Sequence, residues 1–97
     1  MPRLIVSPAA ADALARLVVT HSLPADTRLR SRRSIEPLAE FPLLGRSLAG
    51  AYEGLRFVLG PWRWMVVVYE HDPDTDVVNI LAVEDARSSA APTGSRS

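Results

Sequence analysis

The 97-residue chain is long enough for one small domain, and its apolar fraction of 47% is sufficient for a real hydrophobic core. It contains no cysteine, which excludes disulfides, thiolate catalysis and metal sites that depend on cysteine ligands. The formal net charge is zero, so the chain as a whole does not attract nucleic acid, although all eleven basic residues are arginine, which binds phosphates and carboxylates in a bidentate manner.

Two apolar segments bear on the location of the protein. The apolar run in MPRLIVSPAA is too short for a signal peptide, and WMVVVY, residues 64–69, is too short to span a bilayer. We therefore expect a soluble cytoplasmic protein.

The first half of the chain predicts one strand followed by two helices. Residues 3–7 are a short β-branched and apolar run that is typical of a strand. A helix follows, because Ser7 is a suitable N-cap, Pro8 suits the first helical position and apolar residues then recur at helical spacing. Residues 25–41 predict a weaker helix that breaks near Ser34 to Pro37, since proline is costly inside a helix, with Ser34 capping a second short helical piece.

The second half predicts a surface connection, residues 41–50, and a three-stranded meander over about residues 52–59, 63–70 and 77–84. Gly60-Pro61 is expected to form the first turn, and DPDTD, residues 72–76, the second. The expected fold class is α+β, with the order strand, two helices, three-stranded antiparallel meander (βααβββ) and the helices on one face of the sheet. We expect one domain over residues 1–87 and a flexible C-terminal tail over residues 88–97, which has no apolar pattern.

The first predicted hairpin decides which side chains share a face of the sheet. If Gly60 and Pro61 are its two loop residues, Leu59 lies opposite Trp62. One face is then wholly apolar and is expected to carry the helices: Leu55, Phe57, Leu59, Trp62, Trp64, Val66 and Val68. The helix-free face then holds Arg56, Val58, Arg63, Met65, Val67 and Tyr69. Such a face can bind phosphates or an acidic segment, although arginines on a solvated sheet face are also common.

Four segments, in this order, resemble the RelE/ParE superfamily of bacterial toxins. They are VSPAAADALARL, FPLLGRSL, YEGLRFVLGPWRWMVVVYE and VVNILAVEDAR, and the resemblance runs from about residue 4 to residue 87. The superfamily shows a Ser-Pro or Thr-Pro helix start, a Pro-x-x-Gly-Arg connection, a Gly-x-Arg strand, an aromatic-Arg strand and a basic residue after the last strand. The resemblance implies the toxin of a type II toxin–antitoxin module, linked to growth inhibition and plasmid stabilisation. Such a toxin needs no cofactor or metal and is neutralised by a cognate antitoxin in a hetero-oligomeric complex.

Two mechanisms occur in that superfamily. RelE-like members cleave messenger RNA in the ribosomal A site, whereas ParE-like members inhibit DNA gyrase by binding and are not enzymes. For a ribonuclease, the resemblance implies that Arg56, Arg63 and Arg87 hold the scissile phosphate and that Tyr69 is the nearest phenol. RelE-like enzymes often supply lysines and a C-terminal tyrosine or histidine. This chain has no lysine and no aromatic residue after Tyr69, which favours gyrase inhibition.

A third alternative is a non-toxic member that only binds its antitoxin. Seven residues are expected to contact an antitoxin or a target: Arg28, Arg30, Arg32 and Arg33 of the second helix, and Arg56, Arg63 and Met65 of the helix-free face. An ordinary solvated helix surface is the other interpretation of the four helix arginines.

The remaining polar residues predict local contacts rather than chemistry. The alternating aspartates of residues 72–76 lack the glycine and the distal glutamate of a calcium loop, so we expect a hairpin turn with His71 beside it. His21 is expected to cap or pack the end of the first helix. Glu84 is expected to pair with Arg63 in the free protein, where a phosphate or an antitoxin carboxylate would compete for that arginine.

Overall fold

The computed structural model describes residues 2–87, and the expected tail over residues 88–97 lies outside this range. The helices are α1, Pro8–Thr20, and α2, Thr27–Ile35, which continues into a 3₁₀ turn, Glu36–Ala39. The strands are β1, Arg3–Val6, β2, Arg46–Ser47, β3, Arg56–Leu59, β4, Met65–Asp72, and β5, Val77–Asp85, with a second 3₁₀ turn, Gly50–Tyr52, between β2 and β3. No helix within residues 2–87 is long and apolar enough to cross a membrane.

The strands form a single sheet in the order β1-β5-β4-β3-β2. β1 runs parallel to β5, and every other neighbouring pair is antiparallel. Both helices contribute to one core cluster on one face of this sheet. The predicted α+β class is therefore confirmed, and the element order differs from the prediction by β2, a two-residue strand inside the predicted connection.

Helix α1 begins where the sequence signals place it. The Ser7 hydroxyl accepts a hydrogen bond from the Ala10 backbone N–H at 3.1 Å, and Pro8 is the first helical residue. The cap satisfies one of the N–H groups that a helix start leaves without a partner, so the predicted start is confirmed.

The break after α2 also lies close to its predicted position. The helix ends at Ile35, and Pro37 falls in the first turn of the following 3₁₀ segment. Ser34 does not cap that segment as predicted, because its hydroxyl instead donates to the Arg30 carbonyl at 3.0 Å inside α2.

The turn between β3 and β4 is longer than predicted. Leu59 lies opposite Val66, four residues beyond its predicted partner Trp62, and residues 60–64 form the loop. The Gly60 N–H donates to the Met65 carbonyl at 2.8 Å and closes the loop. The predicted two-residue turn was wrong, because Gly60-Pro61 is only the first part of a five-residue loop. Trp62 and Trp64 therefore lie in the loop and not in a strand.

Within the paired strands, the division of side chains between the two faces survives this shift, since four is an even number and side chains alternate along a strand. In the loop it does not hold, because Trp62 and Trp64 pack on the helix side together with Met65, and Arg63 lies on the other side. The helices, however, cover the face of Met65, Val67 and Tyr69, which was predicted to be helix-free. This prediction was wrong because every residue from Met65 to Tyr69 is apolar or aromatic and also buried. Alternation alone could not identify the face that meets the helices.

The other face of the sheet, which we call the outer face, is partly covered by residues 48–55. Leu48 is only 4% exposed and packs with Val66 and Val68 in a second, smaller core cluster. The Leu48 N–H donates to the Leu55 carbonyl at 2.9 Å, which closes the segment over the sheet. The part of the outer face near Leu59 stays open to solvent, and Leu59 is 47% exposed there.

Candidate functional site

A hollow on the outer face brings two arginines together. Its volume is 440 Å³, and it is lined by Leu44, Gly45, Arg46, Phe57, Val58, Leu59, Arg63, Val66 and Ala86. We call it the outer-face hollow. Arg46 and Arg63 are exposed, and neither takes part in an ion pair within residues 2–87. Two uncompensated guanidinium groups beside apolar side chains can bind an anionic group that has an apolar or planar neighbour.

Arg46 follows a connection that is held by three hydrogen bonds. The Tyr69 hydroxyl accepts from the Gly45 N–H at 2.8 Å. The Arg56 guanidinium donates to the carbonyls of Gly45, at 2.8 Å, and of Leu43, at 3.3 Å. We call Leu43, Gly45, Arg56 and Tyr69 the connection latch. Because Arg46 is the next residue after Gly45, the latch fixes the backbone that carries it into the hollow.

Gly45 and Tyr69 are tightly packed at the centre of the latch. A methyl group on Gly45 would lie 2.5 Å from the Phe57 carbonyl oxygen and 2.7 Å from the Tyr69 hydroxyl, so only glycine fits. Tyr69 is fully buried, and this burial raises the pKa of its hydroxyl despite the opposing effects of the Gly45 N–H and of Arg56. The phenol is a structural hydrogen-bond acceptor and does not reach solvent.

The loop over residues 60–64 is anchored on the helix side by its two tryptophans. The rings of Trp62 and Trp64 stack with centroids 6.0 Å apart and an interplanar angle of 14°. His21, at the end of α1, stacks on Trp64 at 4.9 Å and 14°. The guanidinium carbons of Arg30 and Arg87 lie 5.4 Å and 4.8 Å from the ring centroids of Trp62 and Trp64. We call these five side chains the indole stack.

No protein-family model matches the sequence, and no curated protein matches it significantly. Solved structures do match. A chain of the RelBE2 toxin–antitoxin complex of Mycobacterium tuberculosis aligns with a TM-score of 0.64 and 21% identity, over 88% of this chain and 99% of that chain. A chain of the chromosomal ParDE toxin–antitoxin system of Pseudomonas aeruginosa aligns with a TM-score of 0.67 and 13% identity, over 88% and 96%. The conserved hypothetical protein HP0892 of Helicobacter pylori gives 0.61 and 13%, over 90% and 97%.

The chain has the RelE/ParE toxin fold. Within this RelE/ParE fold, the four residues proposed for catalysis lie in three different places. Arg63 lines the outer-face hollow, whereas Arg56 and Tyr69 belong to the connection latch. Arg87 follows β5, where its guanidinium pairs with the Asp85 carboxylate at 2.9 Å.

The four arginines of α2 are also separated in the RelE/ParE fold. Arg28 and Arg32 line a hollow of 760 Å³ between α1, α2 and the sheet, which we call the helix-side hollow. Arg30 joins the indole stack, and Arg33 is exposed. The arginine-rich sequence therefore does not form one continuous basic surface.

Met65, which was expected on a binding face, lies in the core. It is 0% exposed, and the Ser31 hydroxyl of α2 contacts its sulfur at 3.8 Å. A partner at the surface cannot touch this side chain. The expectation depended on the face that was wrongly predicted to be free of helices.

Sequence reasoning left out two features of the site. Arg46 belongs to the Gly-Arg pair in FPLLGRSL, so the signal for it was present. The predicted site residues were instead taken from the second helix, from two strands and from the end of the last strand, and none was taken from the connection. The indole stack joins α1, α2, the loop and the end of β5, and no local sequence pattern predicts these contacts.

The acidic turn between β4 and β5 makes local contacts only. His71 Nε2 lies 3.0 Å from Asp76 Oδ1, and the Asp72 carboxylate accepts from the Asp74 N–H at 3.0 Å. Nowhere in the described range do three or more histidine or acidic side chains come close enough to hold a metal ion.

Glu84 lies on the outer face, directly opposite Val66 in the sheet. The ion pairs of residues 2–87 do not include one between Glu84 and Arg63, so the predicted pairing is not formed. Within the described part of the chain, Arg63 therefore has no acidic partner to leave before it binds an external anion.

Proposed function

We propose that this chain is the toxin of a type II toxin–antitoxin module and that it inhibits growth by a ParE-like mechanism, in which it binds DNA gyrase. The fold is shared with chains of the RelBE2 and ParDE toxin–antitoxin systems, which supports the toxin role and an antitoxin partner. Gyrase is a cytoplasmic target, and a module of this kind would stabilise a plasmid that carried it.

The observation that carries the choice of mechanism is the dispersal of the residues proposed for RNA cleavage. Attack by a 2′-hydroxyl requires a base for its proton, a donor for the leaving oxygen and cations at the phosphate. The Tyr69 hydroxyl is fully buried and engaged with the Gly45 N–H. Arg46 and Arg63 can supply only positive charge, because arginine stays protonated in proteins.

Neither histidine supplies the missing acid–base group at the outer-face hollow. His21 Nε2 lies 3.0 Å from Asp85 Oδ2 within the indole stack, on the helix side. His71 is paired with Asp76 at the far turn of the meander. The two exposed arginines of the hollow therefore suit binding better than proton transfer.

The antitoxin is proposed to contact the helix-side hollow. Its lining is mainly aliphatic, and its charged lining residues are Arg28 and Arg32 of α2 and the acids Asp12 and Glu36. A partner segment with apolar side chains and nearby carboxylates would fit this hollow. Its apolar side chains would be buried against the sheet, and its carboxylates would pair with the guanidinium groups of Arg28 and Arg32. Arg33 is exposed on the same helix and serves as a comparison.

The test is to express the chain without an antitoxin and to compare two activities. We expect inhibition of gyrase supercoiling or accumulation of gyrase cleavage complexes, and no codon-linked cuts when translated messages are mapped by primer extension. Arg46→Ala and Arg63→Ala should weaken gyrase inhibition, whereas Arg33→Ala should not.

Two results would overturn this choice. Cuts in translated messages that disappear in Arg63→Ala would establish a RelE-like ribonuclease instead. A folded chain without any effect on growth would indicate a member that binds its antitoxin but has lost toxicity.

A further inference from the structure

We propose that the indole stack fixes the backbone of the loop and thereby holds Arg63 at the outer-face hollow. Trp62, Trp64 and His21 then affect binding only through the position of Arg63. The consequence for target binding rests on the proposed function. The placement of Arg63 does not rest on that function, and it can be measured on the isolated protein.

The first reason is the alternation within the loop of residues 60–64. Trp62 and Trp64 pack against the helix-side core, while Arg63 between them lines the hollow on the opposite side of the sheet. The Met65 N–H donates to the Trp62 carbonyl at 3.0 Å, which tightens the loop. An arginine whose two neighbours are both fixed has little freedom to turn its backbone away from the hollow.

The second reason is that the stack ties the loop to three separate elements. His21 brings the end of α1 onto Trp64, and Arg30 brings α2 over Trp62. Arg87, after β5, lies over Trp64. Offset stacking and cation–π contacts at these distances are favourable, so each element resists displacement of the loop.

The third reason is that the ring of His21 is itself oriented. Its Nε2 lies 3.0 Å from Asp85 Oδ2, and its Nδ1 lies 2.9 Å from Thr20 Oγ1. A carboxylate can only accept, so Nε2 donates to Asp85, and the Thr20 hydroxyl is the partner of Nδ1. Both ring nitrogens are used, which keeps the imidazole nearly parallel to Trp64.

The fourth reason is that no ion pair within residues 2–87 holds the Arg63 side chain. Its position therefore depends on its backbone, and its charge remains available to a partner. A group that is placed before binding loses less conformational freedom when the complex forms. Removal of the stack should weaken binding through Arg63 even though Arg63 is intact.

The direct experiment measures the mobility of the loop in the full chain by ¹⁵N relaxation. We expect the Arg63 backbone amide to have an order parameter near 0.85, as in rigid backbone, and to fall below about 0.6 in Trp64→Leu. Trp64→Phe keeps an aromatic ring and should stay close to wild type. An Arg63 amide that is already mobile in wild type, or one that stays rigid in Trp64→Leu, would refute the positioning role.

The functional experiment is a double-mutant cycle on gyrase supercoiling. Trp64→Leu alone should weaken inhibition roughly two- to tenfold, as expected for the loss of a stacked aromatic pair. In an Arg63→Ala background the same change should have almost no further effect, because the group that it positions is absent. Equal effects of Trp64→Leu with and without Arg63 would contradict the proposal.

Two controls cover the cases in which Trp64→Leu does not fold or wild type does not inhibit gyrase. If Trp64→Leu does not fold, His21→Gln keeps a side-chain hydrogen bond to Asp85 but removes the stacked ring, and it should mobilise Arg63 to a smaller extent. If wild type does not inhibit gyrase, the proposed target is wrong, while the relaxation experiment still decides whether the stack positions Arg63.

Discussion

The connection latch and the indole stack hold two exposed arginines at the same hollow by different means. Arg46 follows a backbone that is fixed by a buried hydrogen bond between Gly45 and Tyr69 and by partly exposed hydrogen bonds from Arg56. Arg63 lies in a loop that is fixed by partly buried aromatic rings and by exposed cations on the helix side. Buried hydrogen bonds in a packed site tolerate almost no change, whereas stacked rings near the surface tolerate similar rings. The two regions should therefore respond very differently to mutation.

The largest effect is expected for Gly45→Ala in the connection latch. The added methyl group would overlap the Phe57 carbonyl and the Tyr69 ring, and the cost should be about 3 kcal/mol or more of unfolding free energy. Gly50→Ala is the matched control, because nothing lies within 4 Å of its Cβ position and only its positive φ of 65° is unfavourable, at about 1–2 kcal/mol. Urea denaturation measures both values. A smaller loss for Gly45→Ala than for Gly50→Ala would show that the latch is loosely packed.

A second, smaller loss is expected for Tyr69→Phe. The substitution keeps the ring but leaves the buried Gly45 N–H without its acceptor, which should cost about 2 kcal/mol. Tyr52→Phe, on an exposed ring, should change stability by less than about 0.5 kcal/mol. Equal stabilities of the two variants would mean that the Tyr69 hydroxyl does not hold the connection.

The two arginines of the β3–β4 hairpin provide a third comparison. Arg56→Met removes the donor to two carbonyls of the latch and should cost about 1–2 kcal/mol. Arg63→Met removes an exposed side chain without an ion pair in the described range and should stay within about 0.5 kcal/mol. Thermal denaturation of both variants checks this. If Arg56→Met is as stable as wild type, Arg56 is free for a functional role and the latch requires revision.

These contrasts also show how far the sequence could lead. Ser7 and Pro8 predicted the start of α1, and Pro37 predicted the end of α2, because capping and the missing proline N–H act within a few residues. Alternation alone also predicted that Phe57 and Val66 lie on one face of the sheet and that Val58 and Val67 lie on the other.

The rest depended on contacts between distant residues. Both faces of β4 are apolar, so only the packing of the helices and of residues 48–55 decides which face is which. The partner of Tyr69 is a backbone N–H 24 residues away, and no periodicity reports such a bond. Arg56 and Arg63 look equivalent in the sequence, yet one serves the latch and the other lines the hollow.

The smallest expected effect concerns Asp85, which pairs with His21 and Arg87 of the indole stack. Hydrogen bonds from the Arg87 guanidinium hold the pKa of Asp85 well below its usual value, with the Arg87 N–H and His21 acting in the same direction and partial burial opposing them. The pair is near the surface, so its contribution to stability is modest and sensitive to salt.

Because the folded-state pKa of Asp85 is lowered, its contribution is fully present above the unfolded value of about 3.9 and is lost as the pH falls towards the folded value. Asp85→Asn should therefore be slightly less stable than wild type at pH 7, and the difference should shrink as the pH falls below about 4. Glu53→Gln, on an exposed loop, gives the background pH dependence. Urea midpoints from pH 7 to pH 2 provide the measurement. A constant difference across this range would mean that the Asp85–Arg87 pair contributes little, and that ring stacking alone fixes the loop beside Arg63.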